Sequence, residues 1–306
     1  MTIVNMESLR MFCDVVEQGS ISKAARKGFV SQPAVTKQIR QLEDRYGAKL
    51  FDRSEQKLEL TEAGSTLYPY AKEIIVYYQR SQEAIRQVIG GVIPTLNIGA
   101  TLTIGEYILP EILEKYSRNN QDTKFNLRLG NTPDILSKLK DTTIDIALVE
   151  GMVDNDKLDD GLVAEKFSTD DLVLITPPQH AWSDCDEINL DEIADEKMIW
   201  RESSSGTRIQ VETELKKYGV DQKIQASMEM ESIQAIKNAV EAGLGVSIVP
   251  KITVRKELQY GMLAEVNIKD FHLTRDLYMV QRKTRFKKVG LQNFVSVLQT
   301  YLKELT

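Results

Sequence analysis

The sequence predicts an α/β protein with an all-α head, one long helix, and a larger body in which strands and helices alternate. Three observations carry this prediction. Apolar residues recur at helical spacing through the first fifty or so positions, a seven-residue apolar repeat follows, and strand-like and helix-like segments alternate from Leu96 onward. We place the head at 1–61, the long helix at 62–91 and the body at 92–306.

The composition indicates a globular protein. Of the 306 residues, 42% are apolar and 27% charged, and no apolar run reaches the roughly 18 residues of a membrane span. The N-terminus lacks the pattern of an export signal. Only two cysteines, Cys13 and Cys185, are present, which argues against a disulfide scaffold or a cysteine metal cluster. We expect a cytoplasmic protein with no membrane segment, metal or cofactor.

Charge is unevenly distributed along this acidic chain, whose net charge is −6. Residues 20–57 contain nine basic and four acidic residues, a local net charge of +5. A basic patch of this kind attracts a polyanion even on an acidic protein. Charge alone is equally compatible with an ordinary solvated face, so the residue pattern must decide.

The patch falls on a predicted three-helix unit. The first helix spans Met6 to Gln18 and ends at Gly19, and Ser20 caps the second, which packs through small residues at Ala24 and Ala25. After a turn, Ser31 is placed to cap the third helix, with Pro33 in its first turn.

The third helix has two distinct faces. Four residues are predicted to face inward by their spacing: Val35, Ile39, Leu42 and Tyr46. The other face carries groups that hydrogen-bond to base edges or phosphates, or that pack on a thymine methyl: Ser31, Gln32, Pro33, Thr36, Lys37 and Arg40. Such a third helix defines a helix-turn-helix that places it in the major groove of DNA.

Two short strands are predicted next, at Leu50–Phe51 and Leu58–Leu60. Paired around residues 54–57, they form a wing, which makes the head a winged helix-turn-helix. Arg53 and Lys57 are the expected phosphate contacts of this wing.

This segment resembles the N-terminal domain of the LysR-type transcriptional regulators. Five motifs stand at the family's spacing: S-x-x-x-A-A from Ser20, S-Q-P-A-V-T from Ser31, I-x-x-L-E from Ile39, G-x-x-L-F-x-R from Gly47 and L-T-x-A-G from Leu60. The resemblance implies a sequence-specific regulator rather than an enzyme. It assigns DNA-approaching positions to Gln32, Pro33, Thr36 and Lys37, and the wing arginine to Arg53.

Two departures from the family are visible. Gly28 stands where the family usually has leucine, which predicts a looser turn. The wing tip contains Glu55, which repels phosphate.

The long helix carries a heptad seam. Its apolar members are Leu67, Ala71, Ile74, Tyr78, Ile85 and Val88. A partner helix is the expected cover for this stripe, with packing against the chain's own body as the alternative. In the family this is the linker helix that dimerises the chain, so we expect a homodimer or a dimer of dimers on an inverted-repeat operator.

The body is predicted to contain two α/β units facing across a cleft. Strands are expected at 96–99, 125–129, 144–149, 172–176, 198–200, 224–228, 246–249 and 277–280. The alternation with helices predicts parallel sheets, and the last strand and terminal helix return to the first unit. The family resemblance implies a periplasmic-binding-protein-like effector domain, with subdomain I at about 92–163 and 267–306 and subdomain II at about 164–266.

Hydroxyl-rich segments follow three of these strands, where helix N-termini and ligands meet. We expect a small anion or carboxylic acid there, bound by Thr101, Thr103, Asn131, Ser203, Ser205, Thr207, Arg208, Met230 and Ser232. Simple helix capping is the alternative for each hydroxyl, and Arg208 has Glu202 and Glu212 as rival partners. The stretches 103–110 and 201–208 resemble regulators of sulfur or carbon assimilation.

Other functions have less support. The two histidines, His180 and His272, form no cluster for a metal or a general base. A redox sensor acting through Cys185 is an alternative, although Asp184 and Asp186 disfavour its thiolate. A small-molecule-binding protein without a DNA role is another. The expected partners are double-stranded promoter DNA, a small-molecule effector, further copies of the chain and, by the family resemblance, RNA polymerase.

Overall fold

The computed structural model divides into two compact units, Met1–Val92 and Ile93–Thr306, which we call the head and the body. The residues it describes are 5–52, 58–89, 93–151, 153–156, 158–159, 161–224, 226–283 and 288–303. Among them, no helix combines the length and apolar character needed to cross a membrane.

Three helices open the head: α1 (Met6–Gln18), α2 (Ile21–Lys27) and α3 (Gln32–Tyr46). The predicted caps are confirmed. Ser20 Oγ accepts a hydrogen bond from Lys23 N at 3.4 Å, and Ser31 Oγ accepts one from Ala34 N at 3.3 Å. The core between the helices is fully buried and includes Leu9, Phe12, Val15, Val35, Ile39 and Leu42.

The prediction that Tyr46 faces inward is wrong, because this side chain is 46% exposed. The helix ends at Tyr46, and Gly47 turns the chain with a left-handed φ of 63°. Glu43 is buried instead, and its Oε1 accepts a hydrogen bond from Leu50 N at 3.0 Å. A buried carboxylate thereby ties α3 to the start of the wing.

The wing strands β1 (Phe51–Asp52) and β2 (Glu59–Leu60) pair antiparallel, as predicted. Arg53 and Lys57 lie outside the described residues. Helix α4 (Glu62–Val88) follows directly. A Cβ on Gly64 would lie 2.1 Å from Leu50 O, which explains why the motif ending at this position requires glycine.

The heptad seam of α4 divides into two parts. Leu67 and Ala71 are 8% and 0% exposed and belong to the core of the head, so they are not available to a second chain. For these two residues the alternative, packing within the same chain, describes the structure, and the surface that covers them is the core of the head. The later positions Ile74, Tyr78 and Ile85 are 43–60% exposed, and the side chain of Val88 lies outside the described residues.

The body opens with a parallel sheet of order β5-β3-β4. Its strands are β3 (Thr95–Thr101), β4 (Lys124–Gly130) and β5 (Ile146–Glu150), connected through α5 (Leu109–Asn119) and α6 (Thr132–Lys140). These elements, with the terminal helix α10 (Val289–Lys303), which packs on α5, make up what we call the first lobe. The return of the terminal helix to this lobe was predicted.

Strand β6 (Leu162–Thr176) then leads to a second lobe. This lobe contains β7 (Met198–Arg201), α7 (Gly206–Lys217), β8 (Ala226–Met230), α8 (Ile233–Glu241), β9 (Ser247–Pro250), α9 (Arg255–Gln259) and β10 (Ala264–Val266). Strand β11 (Leu273–Arg282) returns, pairing antiparallel with both β6 and β5. The two lobes are therefore joined by a pair of long antiparallel strands.

The expectation of a parallel second sheet is correct only for β7 and β8. Strand β9 and the strand not predicted from the sequence, β10, pair antiparallel with β6. The reason is that β6 spans fifteen residues and serves both lobes. Only the last third of β6, at 172–176, was predicted from the sequence.

Candidate DNA interface and effector cleft

The outward face of α3 forms an open surface depression of about 570 Å³. It is lined by Gln32, Pro33, Thr36, Lys37, Arg40, Gln41 and Asp44. Ser31, beside it, is exposed and caps the helix. Five of the six residues predicted on this face thus line one surface, while Val35 and Ile39 anchor the opposite face in the core.

Gln32 is held by a neighbouring helix. Its Oε1 accepts a hydrogen bond from Ser22 Oγ of α2 at 3.1 Å. Gln32 Oε1 has a second lone pair, so the bond from Ser22 does not prevent a bidentate contact to adenine.

In the body, the predicted anion-binding hydroxyls of the first lobe donate to a carboxylate of the chain itself. Thr101 Oγ1 lies 3.0 Å from Glu150 Oε2, and Thr103 Oγ1 lies 3.4 Å from Glu150 Oε1. Both threonines are buried, and Glu150 ends strand β5. The place predicted for an anion therefore already contains an anionic group.

Arg275 connects this carboxylate to the rest of the cleft. Its Nη1 lies 3.0 Å from Glu150 Oε1 and donates to Thr207 Oγ1 of the second lobe at 3.0 Å. Its Nε and Nη2 donate to Asp170 Oδ2 at 3.2 and 2.8 Å. Arg275 and Asp170 are directly opposite each other on β11 and β6. One guanidinium, 1% exposed, thus joins both lobes at the strands that connect them.

The cluster formed by Arg275, Glu150 and Asp170 has a net negative charge, because two carboxylates share one guanidinium. Burial raises the pKa of Asp170, although the attraction and hydrogen bonds of Arg275 oppose that rise. An incoming anion at Thr101 and Thr103 meets repulsion from Glu150 unless that side chain moves or the ligand supplies a hydrogen-bond donor.

Several other predicted effector residues act as helix caps. Asn131 Oδ1 accepts from Asp134 N at 2.9 Å, Ser205 Oγ from Arg208 N at 3.5 Å, and Ser232 Oγ from Ala235 N at 3.4 Å. Thr132, next to Asn131, donates through Oγ1 to the backbone oxygen of Glu150 at 3.1 Å, which places the start of α6 beside the group. Ser203 is exposed, and Met230 packs against the core of the second lobe.

Arg208 is bound to protein groups rather than open to a ligand. It donates to Glu212 at 2.7 Å, Glu229 at 2.5 Å and the backbone oxygen of Arg201 at 2.8 Å. The sequence analysis named Glu212 among its possible partners, and the structure favours that alternative. Glu202 pairs with Arg201 instead.

A second contact crosses the cleft. Lys237 Nζ of α8 lies 5.2 Å from the centre of the Tyr107 ring. Tyr107 belongs to a π-helical turn, Ile104–Ile108, which directly precedes α5, and such turns often occur at functional sites. Lys237 itself is 4% exposed and pairs with Glu257 at 2.7 Å.

Sequence analysis missed Glu150, Asp170, Arg275 and Lys237. One signal was present: Arg275 alternates with Leu273 and Leu277 on the buried face of β11. A lone arginine in an apolar alternation indicates a buried ion pair. Its acidic partners, Asp170 and Glu150, lie at least 105 positions away in the chain, so no local sequence pattern identifies them.

A head with an exposed polar recognition helix, attached to a body of two lobes around a buried ionic group, defines a ligand-responsive DNA-binding protein. The comparisons with known proteins agree. Residues 6–65 match the bacterial regulatory helix-turn-helix protein profile of the lysR family, and residues 90–303 match the LysR substrate binding domain. The chain belongs to the LysR family of transcriptional regulators, which are not enzymes. Members of this family bind DNA and small-molecule effectors and form oligomers.

Two curated relatives are similar over nearly the whole chain. The "Probable RuBisCO transcriptional regulator" of Cyanidioschyzon merolae is 32% identical over 290 residues, covering 94% of this chain and 95% of the relative. The HTH-type transcriptional regulator CysL of Bacillus subtilis is 29% identical, covering 95% and 96%. Both names agree with the predicted resemblance to regulators of carbon or sulfur assimilation.

Among solved structures, the Synechocystis PCC6803 CcmR regulatory domain in complex with 2-PG has a TM-score of 0.62 and 24% identity. The match covers 69% of this chain and 99% of the CcmR domain, which establishes the shared fold of the body.

Proposed function

We propose that this regulator is a cytoplasmic homo-oligomer that reads an inverted-repeat promoter site with α3 and is controlled by a small acidic effector between its lobes. The observation that carries the proposal is the hydrogen-bonded group around Arg275, which joins both lobes through Glu150, Asp170 and Thr207. A ligand that competes for any of these bonds changes the relative stability of lobe arrangements.

The interaction with DNA is assigned to the depression on α3. Gln32, Thr36 and Lys37 are proposed to contact base edges, and Arg40 the phosphates. Arg53 and Lys57 are proposed as the phosphate contacts of the wing. A pair of heads presents two such helices to two half-sites.

Self-association is assigned to the exposed part of α4. Apolar side chains with 43–75% exposure line it. They are the heptad members Ile74, Tyr78 and Ile85, together with three residues outside the heptad: Tyr70, Tyr77 and Ile89. Burying such side chains against a second copy removes apolar surface from water. Either a dimer or a tetramer satisfies this requirement.

The effector is proposed to be a small organic acid that also carries a hydroxyl or a second acidic group that keeps its proton. Glu150 supports this class, since a ligand near Thr101 and Thr103 needs a proton to share with its carboxylate. The neighbouring CcmR domain bound to 2-PG is an instance of a small ligand on the same fold. Ser203 and the cap residues Asn131, Ser205 and Ser232 are proposed to line the entrance, with Thr207 at the base.

The proposed output is activation through RNA polymerase, with effector binding altering how paired heads bend promoter DNA. A gel-shift assay on the duplex upstream of the protein's own coding sequence tests the DNA role. We expect specific, salt-sensitive binding whose pattern changes when a small acid is added. Binding that is equal on a scrambled duplex refutes the proposal.

The effector role has a separate test, the thermal unfolding of the full chain with 2-phosphoglycolate, shikimate and inorganic sulfate. We expect a hydroxylated or phosphorylated acid to raise the unfolding temperature more than sulfate does. Stabilisation by sulfate alone contradicts the assigned ligand class and leaves the DNA role intact.

A further inference from the structure

The turn between α2 and α3 contains an unusual residue in an unusual conformation. Helix α2 ends in a Schellman motif: Val30 N donates to Ala25 O at 3.0 Å, and Phe29 N donates to Arg26 O at 3.2 Å. The residue just past the cap, Phe29, has a left-handed φ of 53°. Glycine or asparagine usually occupies this place, because a left-handed backbone brings the Cβ of other residues too close to the following carbonyl oxygen, and asparagine offsets this by local hydrogen bonding.

The glycine of this turn stands one position too early to relieve the crowding. Gly28 has an ordinary right-handed backbone, with φ of −83°. A Cβ there would lie 3.3 Å from Met11 Cε and 3.4 Å from Ala24 O, so a larger residue would require the end of the Met11 side chain to shift slightly. The looser turn predicted from Gly28 is therefore wrong, since both hydrogen bonds of the motif are present.

Among the described residues of the head, no contact offsets the strain at Phe29. Its side chain is 97% exposed, the largest exposure among the large apolar residues of the described chain. A phenylalanine that gains no burial and adopts a disfavoured backbone conformation destabilises the head relative to asparagine. Strained residues of this kind are retained where function needs them.

The position of Phe29 indicates that function. It lies two residues before Ser31, the cap of α3, and follows the basic residues Arg26 and Lys27 with only Gly28 between. In a helix-turn-helix, the N-terminal residues of the third helix contact base edges, so the preceding turn approaches the rim of the groove. Gln32, in the first turn of α3, already lines the proposed interface.

We propose that Phe29 is a DNA contact, with its ring packed on apolar surface at the rim of the major groove, either a thymine methyl or a deoxyribose. Phenylalanine is one of the side chains that make such contacts with thymine. The contact explains why the ring is exposed in the free protein, and it adds affinity without adding charge.

Two substitutions separate strain from contact. Phe29→Asn removes the ring and suits the left-handed backbone, so we expect the unfolding temperature of the full chain to rise by about 4 °C while DNA affinity falls about tenfold. Phe29→Ala removes the ring and keeps the strain, so we expect the same loss of affinity with little change in unfolding temperature.

Affinity is measured by fluorescence anisotropy on the duplex upstream of the coding sequence, over a salt series. Because no charge is removed, the slope of log affinity against log salt should stay unchanged in both variants, whereas Arg40→Ala, at a proposed phosphate contact, reduces it by about one. Thr142, a partly buried body residue with φ of 61°, provides the control. Thr142→Asn should raise stability and leave DNA binding unchanged.

Wild-type DNA affinity in both Phe29 variants overturns the proposal. Loss of transcription activation with unchanged DNA affinity also overturns it, because that result assigns the ring to a protein partner. An affinity loss in Phe29→Ala accompanied by a lower unfolding temperature indicates a structural role and contradicts the proposal as well.

Discussion

Arg275 Nη1 and Glu150 Oε1 lie 3.0 Å apart, and this contact joins the strand that returns from the second lobe to the last strand of the first sheet. The guanidinium is 1% exposed and the carboxylate 10% exposed. Breaking one side of a buried ion pair leaves an uncompensated charge, which is the costly case. Two predictions concern this contact.

Arg275→Ala should lower the free energy of unfolding of the body by about 3–5 kcal/mol, because it leaves Glu150 and Asp170 buried without a cation. Urea denaturation of the full chain measures this. The matched control is Lys166→Ala, which breaks an exposed ion pair with Asp276 on the same two strands, and whose cost should be under about 1 kcal/mol. Equal costs for the two variants contradict a buried, structural role for Arg275.

Glu150→Gln should make the cleft accept simple anions. The substitution removes one negative charge beside Thr101 and Thr103, so sulfate should bind about tenfold more tightly than to the wild type. Thermal unfolding over a sulfate series measures this affinity. Glu202→Gln, which changes a carboxylate paired with Arg201 instead, is the control and should bind sulfate as the wild type does. If the wild type, Glu150→Gln and Glu202→Gln bind sulfate with the same affinity, the effector site lies elsewhere.

Substitutions in the two parts of the α4 seam should affect different properties: self-association for the exposed part, and the stability of the head for the buried part. Ile74→Glu places a charge on the exposed part, so self-association seen by sedimentation velocity should weaken while the head stays folded. Leu67→Ala cuts into the core of the head and should cost about 2–5 kcal/mol of unfolding free energy. If Leu67→Ala dissociates the oligomer without loss of stability, the assignment of Leu67 to the core is incorrect.

The two cysteines should differ in reactivity. Burial raises the pKa of the Cys13 thiol to about 12, so at pH 8 it remains protonated and enclosed, whereas Cys185 is exposed. Iodoacetamide should label only Cys185 until urea is added, as read by mass spectrometry. A Cys185→Ser variant should retain DNA binding and its response to effector, and loss of either supports the redox alternative.

Local signals predicted much of the head. The period of Val35, Ile39 and Leu42, the serine caps and the glycine stops are properties of neighbouring residues, and they place α1, α2 and α3 within a residue or two. The prediction that Tyr46 faces inward was wrong because periodicity does not indicate where a helix ends. The prediction that a partner helix covers Leu67 and Ala71 was wrong for a different reason. A heptad repeat shows which face of a helix is apolar, but it does not show what covers that face.

The effector cleft was harder to predict, because its central contacts join distant parts of the chain. The hydroxyls of Thr101 and Thr103 were correctly placed at the end of a strand, yet their partner Glu150 enters only through the pairing of β3 with β5. Arg275 meets Asp170 through the register of β11 on β6. Sequence spacing identified the Thr101 and Thr103 hydroxyls as groups that can bind an anion. Only the fold shows that Glu150, a carboxylate of the same chain, accepts their hydrogen bonds.

The central claim is that α3 reads DNA bases through Gln32 and Lys37. Its most direct test compares the affinities of the full chain for its own upstream duplex and for a scrambled duplex, at one salt concentration. The wild type should prefer its own site by at least about 10³-fold, and Gln32→Ala should reduce that ratio about tenfold or more while leaving the scrambled duplex bound as before. A parallel loss on both duplexes, or an unchanged ratio, contradicts base reading by this helix.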